Sequence, residues 1–82
     1  MIWHAVEHWW NGSWGTMTRR DVWLEAGDHQ VFRVRWRGGD WRERDGVFHT
    51  TEARVAVNVL SELLGDVPTD NGWKRLNVGG GQ

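Results

Sequence analysis

Residues 31–37 are Val-Phe-Arg-Val-Arg-Trp-Arg, the clearest alternation of apolar and charged side chains in the chain. Because successive side chains of a β-strand point to opposite faces, this segment is predicted to bury the apolar residues at 32, 34 and 36 and to expose the arginines at 33, 35 and 37. A half-buried strand of this kind indicates an antiparallel sheet with one face covered by a second layer.

The neighbouring segments extend this strand into a sheet. Residues 21–26 are predicted to form the preceding strand, closed by the turn residues 27–29, and residues 41–45 a following, charged strand. A two-residue turn at 38–39 would oppose arginines on the two strands, whereas a three-residue loop at 38–40 pairs Arg35 with Glu43 and Arg33 with Asp45. The sequence therefore favours the three-residue loop.

Residues 51–64 have the spacing of an amphipathic helix, with apolar residues at 53, 56, 57, 60, 63 and 64. A threonine N-cap is predicted at its start, and Gly65 and Pro68 end it. Further along, residues 72–76 form either a short edge strand or a loop that docks Trp73 on the core.

These elements predict an α+β fold, a two-layer sandwich in which an antiparallel three- to four-stranded sheet is packed on one face by a single helix, about 51–64. Residues 1–78 are expected to form one domain, in which residues 1–16 are a tryptophan-rich N-terminal strand and linker. Residues 79–82 are expected to be a disordered tail.

Composition limits the function classes. A chain of 82 residues buries only about 60% of its unfolded surface, so its eight tryptophans, at roughly 150–250 Å² each, are needed partly for the core. The chain has no cysteine, which excludes disulfides, thiolate zinc sites and cysteine catalysis. Its N-terminus does not resemble a signal peptide and no long apolar run occurs, so we expect a cytoplasmic protein without membrane contact.

The N-terminal string His4-Ala5-Val6-Glu7-His8 matches the H-x-x-E-H pattern of one class of zinc peptidases. The flanking tryptophans favour a strand instead, in which the two histidines share a face but lie about 13 Å apart, too far to bind one ion. No serine-nucleophile motif or phosphate-binding loop is present in the sequence. We therefore expect a protein that is not an enzyme and has no metal, cofactor or catalytic residue.

Four of the eight tryptophans fall within the first fourteen residues. One edge strand cannot bury four indole rings in so small a core, so part of this set is predicted to be exposed as anchors for a protein partner, which includes a second copy in a homodimer. The predicted partner-binding residues are Trp3, Trp9, Trp10 and Trp14.

The step Phe48-His49-Thr50-Thr51-Glu52-Ala53 leads from a predicted strand into the predicted helix. Over about residues 21–64, this order of elements resembles the three-strand-plus-helix N-terminal DNA-binding domain of phage-type tyrosine recombinases. The resemblance implies that the 31–45 hairpin contacts nucleic acid through Arg33, Arg35, Arg37, Arg42 and Arg44. The chain departs from the family's strongly basic sheet, because residues 17–45 hold seven arginines and six acids.

The net charge is −1, which weakens the expectation of nonspecific binding to nucleic acid. The favoured hypothesis is a small non-enzymatic interaction module that binds a macromolecule, with protein preferred, through its Trp/Arg surface; the alternative is a nucleic-acid-binding domain. Nine arginines against one lysine, in a chain rich in Gly, Val and Trp, are typical of a GC-rich genome and suggest a phage or actinobacterial accessory protein.

Overall fold

The structure, a computed structural model, describes residues 2–15, 18–38 and 45–78. These residues form one antiparallel sheet of five strands in the order β4-β3-β2-β1-β5, with a helix packed on it. In chain order the elements are β1 (His4–Trp10), β2 (Arg20–Ala26), β3 (Phe32–Gly38), β4 (Gly46–Thr50), α1 (Ala53–Leu64), a turn of 3-10 helix (Pro68–Asn71) and β5 (Lys74–Leu76).

The α+β class, with one helix on an antiparallel sheet, is confirmed, but three to four strands was too few. The N-terminal strand β1 and the short strand β5 both join the same sheet. The N-terminal segment is not an edge strand, because β1 pairs with β2 on one side and β5 on the other. Both alternatives predicted for residues 72–76 are observed, since β5 is a short edge strand and Trp73, directly before it, is buried.

The core lies between α1 and the face of the sheet that carries the apolar side chains of β2 and β3. Val22 and Val34 are fully buried, and the helix adds residues at a spacing of four. The complete buried cluster is Val22, Leu24, Val34, Ala56, Leu60, Leu64 and Trp73. The predicted division of residues 32–37 between two faces is therefore confirmed, with Val34 buried and Phe32 and Trp36 partly buried against this cluster.

The helix begins two residues later than predicted, and the threonine N-cap was wrong. Glu52 occupies the N-cap position without a side-chain capping bond, while Thr50 Oγ1 accepts a hydrogen bond from the Glu52 N–H at 3.1 Å. The predicted end is confirmed, since Leu64 is the last helical residue. Gly65 follows at φ 89°, a conformation that favours glycine, and its N–H donates to the Ser61 carbonyl at 2.8 Å.

The register of the β3–β4 hairpin differs from the predicted one. The arginines at 33 and 35 lie opposite His49 and Val47, so their predicted pairing with Asp45 and Glu43 was wrong. The observed register sets Val34 opposite Phe48 on the helix side. Apolar contact with the core outweighs surface charge pairs, which contribute only about 0.2–1 kcal/mol each. Residues 39–44 lie outside the described residues, and so does the disordered tail predicted at 79–82.

Strand β1 contains a β-bulge that the sequence did not suggest. Ala5 lies opposite Glu25 and Glu7 opposite Leu24, so Val6 is an extra residue between them. The bulge reverses the alternation, because residues before Val6 are one step out of phase with those after it. His4 and His8, predicted to share a face, therefore lie on opposite faces.

Candidate interaction surface

The face of the sheet opposite α1, called the open face below, is lined by aromatic and charged side chains. Residues directly paired across neighbouring strands share a face, so the register defines its members. Trp10 is opposite Asp21, and Trp23 lies between His8 and Arg35. The open-face strand residues are Ala5, His8, Trp10, Asp21, Trp23, Glu25, Arg33, Arg35, Arg37, Val47, His49, Lys74 and Leu76.

Glu25 is the centre of one cluster on the open face. Its Oε1 accepts hydrogen bonds from Arg33 Nε at 2.6 Å and from Arg35 Nε at 3.3 Å. Each guanidinium also lies over an indole ring, Arg33 over Trp3 at 4.2 Å and Arg35 over Trp23 at 4.0 Å from the ring centroid. The arginines and rings cover the carboxylate, which explains why Glu25 is only 7% exposed on a face without a helix.

Burial by itself would raise the pKa of Glu25, since it disfavours the charged form. The hydrogen bonds and charges of Arg33 and Arg35 outweigh it, so the pKa of the Glu25 carboxyl lies below its ordinary value. Glu25 is therefore ionised at neutral pH and holds both arginines in fixed positions.

Asp21 is the centre of a second cluster of the same design. His8 Nε2 lies 2.8 Å from its Oδ1, and Arg19 Nε donates to its Oδ2 at 3.0 Å. Burial again favours a higher pKa for Asp21, but the hydrogen bonds from Arg19 and His8 lower it below the ordinary value. The His8 ring stacks on Trp23 with centroids 4.7 Å apart, which links the two clusters.

Trp14 lies beside the open face and is the most exposed large apolar side chain among the described residues. Its side chain is 76% exposed, yet its ring packs against Trp10 with centroids 4.4 Å apart. The Arg19 guanidinium lies 5.5 Å from both ring centroids, and Trp10 Nε1 donates to the Ser13 carbonyl at 2.7 Å. Trp14 therefore projects into solvent from a base formed by a buried ring and an ion-paired arginine.

The structure brings three of the four predicted anchor residues to the open face. Trp3 contacts Arg33 and the His49 ring, Trp10 is buried at 8% exposure beneath Trp14, and Trp14 is exposed. Trp9 lies opposite Val22 on the helix side, packs against the core and donates its Nε1 to Glu7 at 2.8 Å.

Of the five arginines predicted for nucleic acid, Arg33 and Arg35 are held by Glu25, and Arg37 is exposed with its guanidinium 5.6 Å from the Trp23 ring centroid. Arg42 and Arg44 lie outside the described residues.

Sequence reasoning missed the contribution of β2. Asp21, Trp23 and Glu25 alternate along Asp-Val-Trp-Leu-Glu, the same period-2 signal seen in β3, and this places two acids beside the arginines. The predicted acidic partners of Arg33 and Arg35 lay in residues 41–45, after β3, whereas the observed partner, Glu25, lies on the preceding strand β2. A test of both neighbouring strands would have found Glu25.

His8 is hydrogen-bonded to Asp21 on the open face, whereas His4 lies on the opposite face of the sheet. Within residues 2–15, 18–38 and 45–78, no three histidine, aspartate or glutamate side chains gather closely enough to hold a metal ion. In the same part of the chain, no helix has the length and apolar character that crossing a bilayer requires. Comparison with protein-family models, curated proteins and solved structures gave no match for this chain.

Proposed function

We propose that this protein is a small non-enzymatic interaction module whose open face binds an acidic surface of a partner protein. The observation that carries the proposal is Trp14, 76% exposed and seated against Trp10 and Arg19. Tryptophan and arginine are the residue types most enriched among the energetically dominant contacts of protein interfaces. An exposed indole supported by both is typical of such an anchor.

The charge distribution supports an acidic partner. Five cations border or line the open face (Arg19, Arg33, Arg35, Arg37 and Lys74) against two acids, Asp21 and Glu25, a surplus of three positive charges. On the helix side, residues 51–72 hold one arginine and four acids and the strands add Glu7, Arg20 and Arg75, a surplus of two negative charges. The chain as a whole carries only −1, so the charge is divided between its two sides, and the open face would steer towards negative surfaces.

The open face is also preorganised. Arg33 and Arg35 are fixed by Glu25, and Arg19 is fixed by Asp21, so binding would order few further side chains. An immobilised long side chain otherwise costs about 0.5–1.5 kcal/mol on association. This favours recognition by a rigid surface on which Trp14 and Arg37 are exposed to a partner.

A peptide-display selection on the immobilised protein tests the proposal, with counter-selection on a Trp14→Ala/Arg37→Ala variant. Selected sequences should be rich in Asp and Glu, and Trp14→Ala should weaken their binding by roughly 30-fold, the effect of a strong interface anchor. Arg54→Ala on the exposed side of α1 removes one cation elsewhere and is the matched control for Arg37→Ala. Neutral selected sequences, or equal binding to the open-face variants, would contradict the proposal.

The nucleic-acid alternative, and with it the recombinase resemblance, stays a prediction. It predicts unpaired, solvent-facing arginines on the 31–45 hairpin, whereas Arg33 and Arg35 pair with Glu25. A mobility-shift titration of duplex DNA at low salt distinguishes the two functions. A complex that weakens steeply with salt and depends on Arg37 would favour nucleic acid over an acidic protein.

A further inference from the structure

The two edges of the sheet differ in how they are protected. Strand β5 forms one edge with only three residues, and two of them, Lys74 and Arg75, are cationic. Short charged edges are a common defence against pairing with another chain. Strand β4 forms the other edge with five residues, Gly-Val-Phe-His-Thr. They include one histidine but no lysine, arginine, acid or proline.

Strand β4 also exposes apolar side chains on both of its faces. Val47 is 47% exposed on the open face and Phe48 is 37% exposed on the helix side. Among the described residues β4 pairs only with β3, so one side of its backbone is available to a further strand. An edge with free backbone groups and apolar flanks is a template for strand addition.

The sequence of β4 is complementary to itself in one antiparallel register. With Phe48 on a twofold axis, Phe48 meets its own copy, each Val47 meets a His49, and each Gly46 meets a Thr50. The central pair stacks two aromatic rings beside the two helices, and no pair opposes two acids or two permanent cations. If one copy were shifted by one residue, Phe48 on the helix side of one copy would pair with His49 on the open face of the other. The two helices would then lie on opposite sides of the joined sheet.

From these features we infer that the β4 edge is a homodimer interface, in which two copies pair through β4 and make a continuous ten-stranded sheet. A twofold axis perpendicular to the sheet keeps both helices on one side and both open faces on the other. The dimer therefore presents two copies of Trp14 on one continuous surface. This inference does not depend on what the open face binds.

Sedimentation of the wild type over a concentration series, with two lysine variants, is the first test. Val47→Lys places a charge on the proposed interface, and Val57→Lys places one on the exposed side of α1, where Val57 is 46% exposed against 47% for Val47. The wild type should dimerise, Val47→Lys should raise the dissociation constant at least tenfold, and Val57→Lys should leave it unchanged. A wild-type monomer up to millimolar concentration, or a dimer disrupted only by Val57→Lys, would overturn the inference.

Single-cysteine crosslinking tests the register, because the natural chain contains no cysteine. A cysteine in place of Phe48 lies on the twofold axis next to its copy and should oxidise rapidly to a disulfide-linked dimer. In place of Val47 or His49, the two Cα atoms would be about 8 Å apart, given strands 4.8 Å apart offset by two residues, and this exceeds disulfide reach. We expect crosslinking at least tenfold faster at position 48; equal rates at the three positions would overturn this register.

Discussion

The substitution Glu25→Gln tests whether the buried carboxylates organise the open face. The change keeps the size of the side chain but replaces a charge that holds Arg33 and Arg35. Removing one partner costs about 3–5 kcal/mol in a fully buried ion pair, and an exposed pair contributes about 0–1 kcal/mol. The Glu25 side chain is 9% exposed, while those of Arg33 and Arg35 are 23% and 37% exposed, so this cluster is intermediate.

We therefore expect Glu25→Gln to lower the free energy of unfolding by roughly 2 kcal/mol at pH 7, in the range known for hydrogen bonds to charged groups. For a domain of this size the loss corresponds to a fall in Tm of about 8–16 °C. Urea unfolding and calorimetry measure both quantities. Glu62→Gln is the matched control, because Glu62 is exposed on α1 and its change should stay within about 0.5 kcal/mol.

The pH dependence adds a second criterion. The pKa of Glu25 is lowered in the folded protein, so its stabilising effect is present above the ordinary value of 4.5 and is lost as the pH falls through the folded value. The stability difference between wild type and Glu25→Gln should therefore be largest near neutrality and shrink in acid. A loss below about 0.5 kcal/mol at pH 7, or a difference that does not change with pH, would refute the role assigned to this carboxylate.

Four further substitutions test the assigned burial, one close packing contact and one turn. Trp73→Ala should cost about 3–5 kcal/mol because Trp73 is buried, whereas Trp14→Ala should cost only about 1 kcal/mol, the contribution of its contact with Trp10; similar losses in chemical denaturation would contradict the assigned burial. Gly46→Ala should cost about 1–3 kcal/mol, since a Cβ there would meet the Trp36 indole, and an unchanged Tm would argue against that contact. Gln30→Gly should raise the free energy of unfolding by about 0.5–1 kcal/mol because Gln30 has φ 59°; destabilisation would show that this turn is not strained.

The elements with a strong period were predictable from sequence. Residues 31–37 and the apolar spacing along 53–64 each match a single period, and both are buried on the expected side. The sequence could not decide how many strands the sheet contains. Residues 72–76 form too short a segment for periodicity to be diagnostic, and β1 becomes an internal strand only because β5 returns to pair with it.

The candidate site was predicted less well than the fold, for two physical reasons. Charge pairing on a solvent-exposed face is weak, so it does not determine the register of the β3–β4 hairpin. The arginines at 33 and 35 form their ion pairs with Glu25 on β2, the other neighbouring strand. The bulge at Val6 has no local signature, since residues 2–10 alternate acceptably either with it or without it. The bulge places Trp3 on the open face, and the sequence pattern did not predict the bulge.

The bulge at Val6 has a consequence for how β1 tolerates change in length. Deleting Val6 would restore a regular ladder with β2 and would leave Trp3 beside Arg33 and His49, because Ala5 already lies opposite Glu25 and Glu7 opposite Leu24. Residues 7–10 would keep their orientation, because their pairing with β2 and β5 lies beyond the bulge. Strand β1 can thus lose one residue at this point and still keep each of its indole rings on the side of the sheet that it occupies now.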